Sequence, residues 1–335
     1  MNILVTGGMG FIGSHTCVEL LSEGYNVIII DDLSNSRIEV KGYIEQITDK
    51  KLTFYQGDVC NKQLVEQIFN EHKIEAVIHF AGFKSVGESV LKPLEYYDNN
   101  LMSTIVLCQV MKKYNCKKII FSSSATIYGE PEKFPIDETC KTGPTTNPYG
   151  TTKLFIEQIL TDLHISDNEW DISLLRYFNP IGAHNSGLIG ETPKGIPNNL
   201  LPYIVMVANK ELPHLEIHGN DYDTIDGTGV RDYIHVVDLA RGHVCALKKI
   251  ENEHLGVNAY NLGTGKGYSV LEIVSAFKRL NNVDVPYIVG PRRSGDIATS
   301  YAKTKKACDE LGFKTTKTLE DMIKDSWNFY KLQNK

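Results

Sequence analysis

Apolar and polar positions alternate in blocks along the first half of the chain. Residues 2–6 form a short apolar run that reads as a buried strand, and residues 27–30 form a second that ends at Asp31. Similar runs recur at 52–55, 76–80, 118–121 and 172–177. Between them the apolar spacing is helical. Cys17, Leu20 and Leu21 share one face within 14–24, and Leu64, Ile68 and Phe69 share one within 63–72. Leu101, Ile105, Val106 and Val110 do so within 99–114, and 151–163 is also helical. Strands alternating with helices call for a parallel sheet covered on both faces. Ligands of such sheets bind beyond the carboxyl ends of the strands. Those ends fall at Gly7, Asp31, Asp58, Ala81, Ser124 and Tyr177, so these distant residues are expected around one crevice.

The texture changes after Tyr177. Residues 179–202 are rich in Gly, Pro and Asn, as suits a binding lobe built from loops. Helical spacing returns at 236–250 and a strand pattern at 258–263, and both are expected to rejoin the first body. The expected architecture is α/β: a doubly wound parallel sheet over 1–177, joined by about 234–264, with a smaller α/β lobe from 178–233 and 265–335. The last residues, 332–335, are expected to fray.

Between the first two strands lies a glycine-rich turn. Gly8, Gly10 and Gly13 give one spacing, and Gly7, Gly10 and Gly13 another. Glycines let a turn be tight and let backbone N–H groups approach a pyrophosphate at a helix N-terminus. Asp31 follows about 20 residues later, where a ribose hydroxyl would need an acceptor. A strand before the turn, a helix after it and the acid together indicate a dinucleotide site.

Composition narrows the classes. The chain has 335 residues, 42% hydrophobic, enough for one large α/β body with an appended lobe. Net charge is −6 with no long basic run, which argues against nucleic acid as partner. No apolar run has the length of a membrane span, and the N-terminus opens directly on strand residues. Seven cysteines are scattered without C-x-x-C pairs. They read as reduced thiols of a cytoplasmic protein, with neither a disulfide frame nor a metal site expected.

Tyr149 and Lys153 are four apart at a helix start, on one face. The spacing alone is a common accident of surface helices. After a dinucleotide fingerprint, and following the serine-rich strand end at Ser122–Ser124, it reads as chemistry. An adjacent ammonium is expected to lower the tyrosine from its usual value near ~10, giving a base that works near neutrality. Ser124 is placed to donate to the same substrate hydroxyl.

Several motifs resemble the extended short-chain dehydrogenase/reductases, over residues 1 to about 325. They are TGGMGFIGSH at 6–15, HFAGFK at 79–84, SSSATIYG at 122–129, YGTTK at 149–153, RYFNP at 176–180, IPNNL at 196–200, GTGVRDYIH at 227–235 and RRSGD at 292–296. The IPNNL and GTGVRDY segments resemble the branch that epimerises UDP-hexoses at C4. The resemblance implies a Rossmann-type fold, NAD as cofactor, a UDP-hexose as substrate and a homodimer. It implies an NAD site lined by Gly7, Gly10, Phe11, Ile12, Gly13, Asp31, Asp32, Leu33, Ser34, Asn35, Ser36, Asp58, Val59, Phe80, Ala81, Gly82, Phe83, Lys84, Asn99, Ser124, Tyr149, Lys153 and Phe178. It implies Tyr149, Lys153 and Ser124 as catalytic groups. It implies substrate contacts from Ser124, Thr126, Tyr149, Asn179, Asn199, Leu200, Glu216, Ile217, His218, Arg231, Tyr233, Arg293, Asp296 and Ser300, with Arg292 the weaker of the two neighbouring arginines. The implied reaction oxidises the sugar at C4, lets the 4-keto sugar turn over, and reduces its opposite face, interconverting UDP-glucose and UDP-galactose.

Two features choose among relatives. Ala125 and Thr126 stand where related 4,6-dehydratases carry an Asp-Glu pair, so elimination lacks its acid and base. Asp31, reinforced by Asp32, repels the 2′-phosphate of NADP. Ser300 stands where some of these epimerases carry a bulky tyrosine, which leaves room for N-acetylated UDP-hexosamines. Other readings remain open. One is 4-epimerisation of a UDP-uronate or UDP-pentose, and another is net dehydrogenation. A third is a cofactor-binding regulator without catalysis, against which the intact Ser124, Tyr149 and Lys153 argue. A local ion pair for Arg231 with Asp232 is also open.

Overall fold

The chain enters through a buried strand, β1 (Asn2–Thr6), in which Ile3, Leu4 and Val5 are inaccessible to solvent. The computed structural model describes residues 1–192, 195, 197, 199–293 and 295–333. Alternation then runs through α1 (Phe11–Ser22), β2 (Asn26–Asp31), α2 (Glu39–Thr48), β3 (Thr53–Gln56), α3 (Lys62–Glu71), β4 (Ala76–His79), α4 (Val86–Leu91), α5 (Pro93–Lys113), β5 (Lys118–Ser124), α6 (Pro148–Ser166) and β6 (Asp171–Tyr177). The remaining elements are β7 (Asn179–Ile181), α7 (Leu200–Ala208), β8 (Leu215–His218), β9 (Val230–His235), α8 (Val236–Asn252), β10 (Val257–Leu262), β11 (Gly267–Ser269), α9 (Val270–Asn281), β12 (Tyr287–Gly290), β13 (Thr299–Ser300), α10 (Lys305–Leu311) and α11 (Leu319–Gln333).

Seven parallel strands form the main sheet in the order β10-β6-β5-β4-β1-β2-β3. Strand order reverses between β1 and β4, which opens a crevice at their carboxyl ends. Apolar clusters cover both faces. One gathers α1, α2 and α8 residues such as Leu20, Ile44 and Leu247, and the other α3, α5 and α6 residues such as Ile68, Leu107 and Leu160. Burying each such side chain contributes about 1.5–3 kcal/mol. Strand β10 joins the sheet beside β6, and α8 packs on α1.

The other strands form two small sheets. Strand β9 is the hub of one, between β11 and β13 and also paired with β7. Strands β8 and β12 pair in parallel. A third core, with Ile204, Phe277 and Ile323, holds α7, α9 and α11 against them. Among the described residues no helix is long and apolar enough to cross a membrane.

Differences from the sequence reading have local causes. Helix α1 begins at Phe11, three residues before the expected start, with Gly10 as its N-cap. Helix α2 was not anticipated: it includes Gly42 and β-branched Val40 and Ile44, poor helix formers, and lacks a side-chain N-cap. Helix α5 starts at Pro93 rather than 99, with proline in its first turn; that turn was hidden because its apolar Leu94 is exposed and its buried face continues from Tyr96 through polar Asn100 and Ser103. The 179–202 stretch is less loop-like than expected, containing β7 and the start of α7. Leu332 and Gln333 are helical rather than frayed. Ile196, Asn198, Ser294, Asn334 and Lys335, named in the motifs and the tail above, lie outside the described residues.

A buried ion pair ties α6 to the sheet. Arg176 on β6 donates to both oxygens of Glu157 on α6, at 3.0 and 2.7 Å, and the Ser123 hydroxyl donates to the same carboxylate. Removing one partner of a buried pair leaves the other charge uncompensated. Glu157→Ala is expected to lower the unfolding free energy by about 3–5 kcal/mol. Urea denaturation measures it; a loss below about 1 kcal/mol would show that the pair behaves like an exposed one.

Candidate active site

The glycine turn is shaped by contacts that exclude side chains. Gly7 sits at φ +68°, and a Cβ there would lie 2.9 Å from Ala81 N, across the crevice on the loop after β4. Gly13 lies in the first turn of α1, where a Cβ would approach Gly7 O to 2.3 Å and Gly8 Cα to 2.8 Å. A Cβ on Gly8 would meet only the Ile29 side chain. Backbone packing therefore enforces the 7/10/13 spacing. With Gly10 as N-cap, the N–H groups of Phe11, Ile12 and Gly13 precede the helical ladder, an arrangement that suits a phosphate.

Asp31 connects this turn to the next loop. Its buried carboxylate accepts from Met9 N and Leu33 N, each at 2.9 Å, and from the Ser36 hydroxyl at 2.7 Å. The acid expected to meet a ribose thus also fixes the loop of Leu33, Ser34, Asn35 and Ser36 against the glycines. Asp32 is exposed and caps Ser34 N at 2.8 Å. A cavity of about 250 Å³ opens here, lined by Gly10, Phe11, Asn35 and Ser36 together with Arg37, Tyr43 and residues 188–190; Tyr149 and Lys153 do not line it.

The loop after β4 is tied from two sides. Ala81 N donates to Thr6 Oγ1 at 3.2 Å, and Phe83 N to Asn100 Oδ1 at 2.7 Å. Asn99 Nδ2 also donates to Asn100 Oδ1, at 3.0 Å. Lys84 pairs with Glu191 at 3.2 Å, and Asn199 donates to the same carboxylate at 2.6 Å. Glu191 therefore bridges a cofactor-side and a substrate-side candidate. Val59 and Phe178 are buried, Phe178 in a small cluster with Ile127, Tyr128, Ile136 and Ala302. Asp58 is held by Cys60 N at 2.8 Å.

Tyr149 and Lys153 stand in the first turns of α6, which Asn147 caps by accepting from Gly150 N. The Lys153 Nζ lies 5.9 Å from the Tyr149 ring centre and 2.7 Å from Ser122 O. The Ser124 oxygen accepts from Thr126 N at 3.2 Å and Thr126 Oγ1 at 3.0 Å. Its own proton is then free to point at the Tyr149 oxygen, which it faces. Electrostatics depart from the sequence expectation. Burial pushes the Tyr149 phenol above its usual value, offset in part by Ser124. Lys153 does not lower it: burial brings the lysine itself down to about 7, so both groups disfavour charge.

The small sheet gathers the substrate-side candidates by register. Asn179 on β7 pairs with Tyr233 on β9, and Ser300 on β13 pairs with Arg231 on β9. Arg231 and Tyr233 share one face of the strand, and Asp232 takes the other. The local Arg231–Asp232 ion pair does not form. Arg231 pairs with Asp296 at 3.5 Å, while buried Asp232 accepts from Thr264 N, Gly265 N and Ala302 N. Arg292 is engaged by Asp221 at 2.8 Å and lies over the Tyr222 ring; Arg293 is exposed and has no ion pair among the described residues. On β8, Ile217 is buried, and the Glu216 carboxylate lies over Gly290, 3.9 Å from His218 Nδ1. Leu200 is the first residue of α7.

The sequence reading passed over Glu191 and the pair Glu157–Arg176. It also passed over His243, whose Nε2 meets the Tyr177 hydroxyl. None carries a local signature: Glu191 meets Lys84 across 107 positions, Glu157 meets Arg176 across 19 and His243 meets Tyr177 across 66.

Known proteins share this arrangement. The model of the NAD dependent epimerase/dehydratase family matches residues 3–263. The UDP-glucose 4-epimerase of Bacillus subtilis (strain 168) is 59% identical over 329 residues, 98% of this chain and 96% of that protein. The crystal structure of UDP-glucose 4-epimerase from Bifidobacterium longum in complex with NAD+ and UDP superposes with a TM-score of 0.97 at 57% identity, covering 100% of this chain and 99% of that one. The UDP-glucose-4-epimerase of Stenotrophomonas maltophila, with bound NAD and formylated UDP-arabinopyranose, gives 0.97 at 47% identity, over 100% and 99% of the two chains. A parallel sheet reversing at a glycine cradle, a Tyr-Lys helix beside it and full-length similarity to such enzymes agree: this chain belongs to the NAD dependent epimerase/dehydratase family.

Proposed function

We propose that this protein interconverts UDP-glucose and UDP-galactose by oxidising the sugar at C4, letting the 4-keto sugar turn over in the pocket, and reducing its opposite face. The observation that carries the reading is the convergence of Ser124, Tyr149 and Lys153 at the strand ends beside the glycine cradle. That cradle fits NAD: Gly7 and Gly13 leave space a Cβ would fill, and Asp31 disfavours a 2′-phosphate. When bound, NAD supplies a reversible hydride acceptor at C4. The chain supplies the rest. Tyr149 takes the proton of the 4-hydroxyl, Ser124 donates to the oxygen that gains charge, and Lys153 stabilises the phenolate once its proton is retained. Arg231 and Arg293 hold diphosphate oxygens, with Arg231 oriented by Asp296. Asn179, Asn199, Tyr233 and the β8 segment Glu216, Ile217 and His218 line the nucleotide-sugar side. A cytoplasmic setting fits seven cysteines that are all free.

Incubation of the purified protein with UDP-galactose is expected to give UDP-glucose without accumulation of reduced cofactor; growing NADH absorbance would instead indicate a net dehydrogenase. Tyr149→Phe is expected to lower kcat by about 10²–10⁴-fold with bound NAD retained, and near-normal turnover would remove Tyr149 as the base.

Ser300 favours a wider choice. It is small and lies opposite Arg231. We infer acceptance of N-acetylated UDP-hexosamines as well. Turnover of UDP-GalNAc to UDP-GlcNAc is the expected result; none at saturating substrate would overturn it.

The homodimer rests on an apolar face. Val90 and Leu91 on α4, Leu94 and Met102 on α5 and Phe155 on α6 are exposed, Leu91 and Leu94 by 82% and 78%. These helices pack together, and Tyr97 joins Phe155 with ring centres 6.1 Å apart. A contiguous patch of this kind marks an interface. Sedimentation is expected to give about twice the 37.6 kDa chain mass. Leu94→Lys should shift the population toward monomer, and a monomeric wild type would refute the assignment.

A further inference from the structure

Behind Lys153 the ends of β5 and β6 carry buried polar groups that the proposed reaction does not use. Lys153 Nζ lies 2.7 Å from Ser122 O and 3.3 Å from Ser122 Oγ. Ser122 and Tyr177 lie on one face of the sheet, two positions apart in register, and the Tyr177 hydroxyl meets His243 Nε2. On the far side His243 Nδ1 lies 2.9 Å from Leu239 O. All three side chains are buried, His243 completely.

Proton positions follow from the last acceptor. A carbonyl only accepts, so Nδ1 of His243 carries a proton, an assignment made from the hydrogen-bond network. Burial holds His243 down at about 4, so near neutral pH its Nε2 is an acceptor. Tyr177 therefore donates to it. With its proton given to His243, the Tyr177 oxygen is left as an acceptor on the Ser122 side, and the Ser122 oxygen accepts from Lys153. Every donor points inward from the lysine.

We propose that Tyr177 and His243 are positioning residues that lock the Ser122 hydroxyl as an acceptor toward Lys153 and so hold the lysine in its ammonium form. A serine hydroxyl without that constraint rotates and donates to a neutral amine. Among the described residues, the other groups facing Lys153 supply no negative charge. Tyr149 on α6 is a raised phenol, and Phe121 on β5 offers its ring face at 4.8 Å. His79 on β4 is bonded to the Thr6 and Thr104 hydroxyls and is held neutral by burial. The oriented Ser122 oxygens are what oppose the cost of burying the charge.

The test follows Lys153 by NMR of the full chain labelled at lysine Cε, as purified with NAD, with Lys153→Arg used to assign the signal. Tyr177→Phe and His243→Phe are expected to lower the Lys153 midpoint by about one pH unit. His243→Gln, whose amide oxygen reaches the Nε2 position, is expected to keep the wild-type midpoint. An unchanged midpoint in both Phe variants, or an equal fall in the Gln variant, would overturn the proposal. The inference draws on the proposed function only for its consequence in turnover, and the NMR titration needs none. If wild-type protein epimerises UDP-galactose, the alkaline limb of kcat should move to lower pH in the Phe variants with KM unchanged.

Discussion

The structure hangs on a carboxylate and a guanidinium that are both more than nine-tenths buried. Glu157 and Arg176 join α6 to β6, and the hydroxyl of Ser123 adds β5 to the same clamp. Arg176 extends it further: its Nη1 donates to the Tyr128 hydroxyl at 2.9 Å, and Tyr128 donates to Asn261 on β10 at 2.7 Å. Burial works against the arginine's charge, and the Glu157 partner more than restores it. Three members of this network sit next to, or one helical turn from, a residue of the site or of the polar chain behind it. Ser123 precedes Ser124, Arg176 precedes Tyr177, and Glu157 follows Lys153 by four positions. A bidentate charged pair has little angular freedom. The clamp therefore fixes the distance between the Tyr-Lys helix and the hydroxyl-bearing strand, which no single catalytic side chain can do alone.

That rigidity serves a site that is reluctant to carry charge. Tyr149 is pushed up and Lys153 down by the same burial. Burial, and not the neighbouring group, sets the direction of each shift. The directed Ser124 hydroxyl favours the charge on tyrosine, and Ser122 favours it on lysine. The environment penalises each charge, and the two serines at the end of one strand relieve that penalty where the proposed reaction needs it.

Much of this was legible in the chain. The βα alternation, the glycine turn, Asp31 and the Tyr149–Lys153 pair are local patterns, and local patterns survive folding. Helix α2 was illegible because Gly42 and branched residues blunt its propensity, and the start of α5 because Leu94 faces outward. The direction of the Tyr149 shift was misread for a different reason. A neighbour in sequence can be seen, but depth cannot, and here desolvation outweighs the neighbour. The register that gathers Asn179, Arg231, Tyr233 and Ser300 was equally hidden, since it depends on strands of two to six residues meeting across long intervals.

Strand β9 is divided along its length between two parallel partners. β7 takes its carboxyl half and β13 its amino half, the latter through only two residue pairs. The two attachments differ in how far they can drift. β7 follows directly on β6 of the main sheet, so its position is inherited from the Rossmann framework. β13 is a short graft that brings Ser300, with Asp296 just before it, to Arg231. On the proposed reading, substrate preference and cofactor handling are therefore separable traits: the graft can be exchanged, in evolution or by design, without disturbing the strand that carries the chemistry.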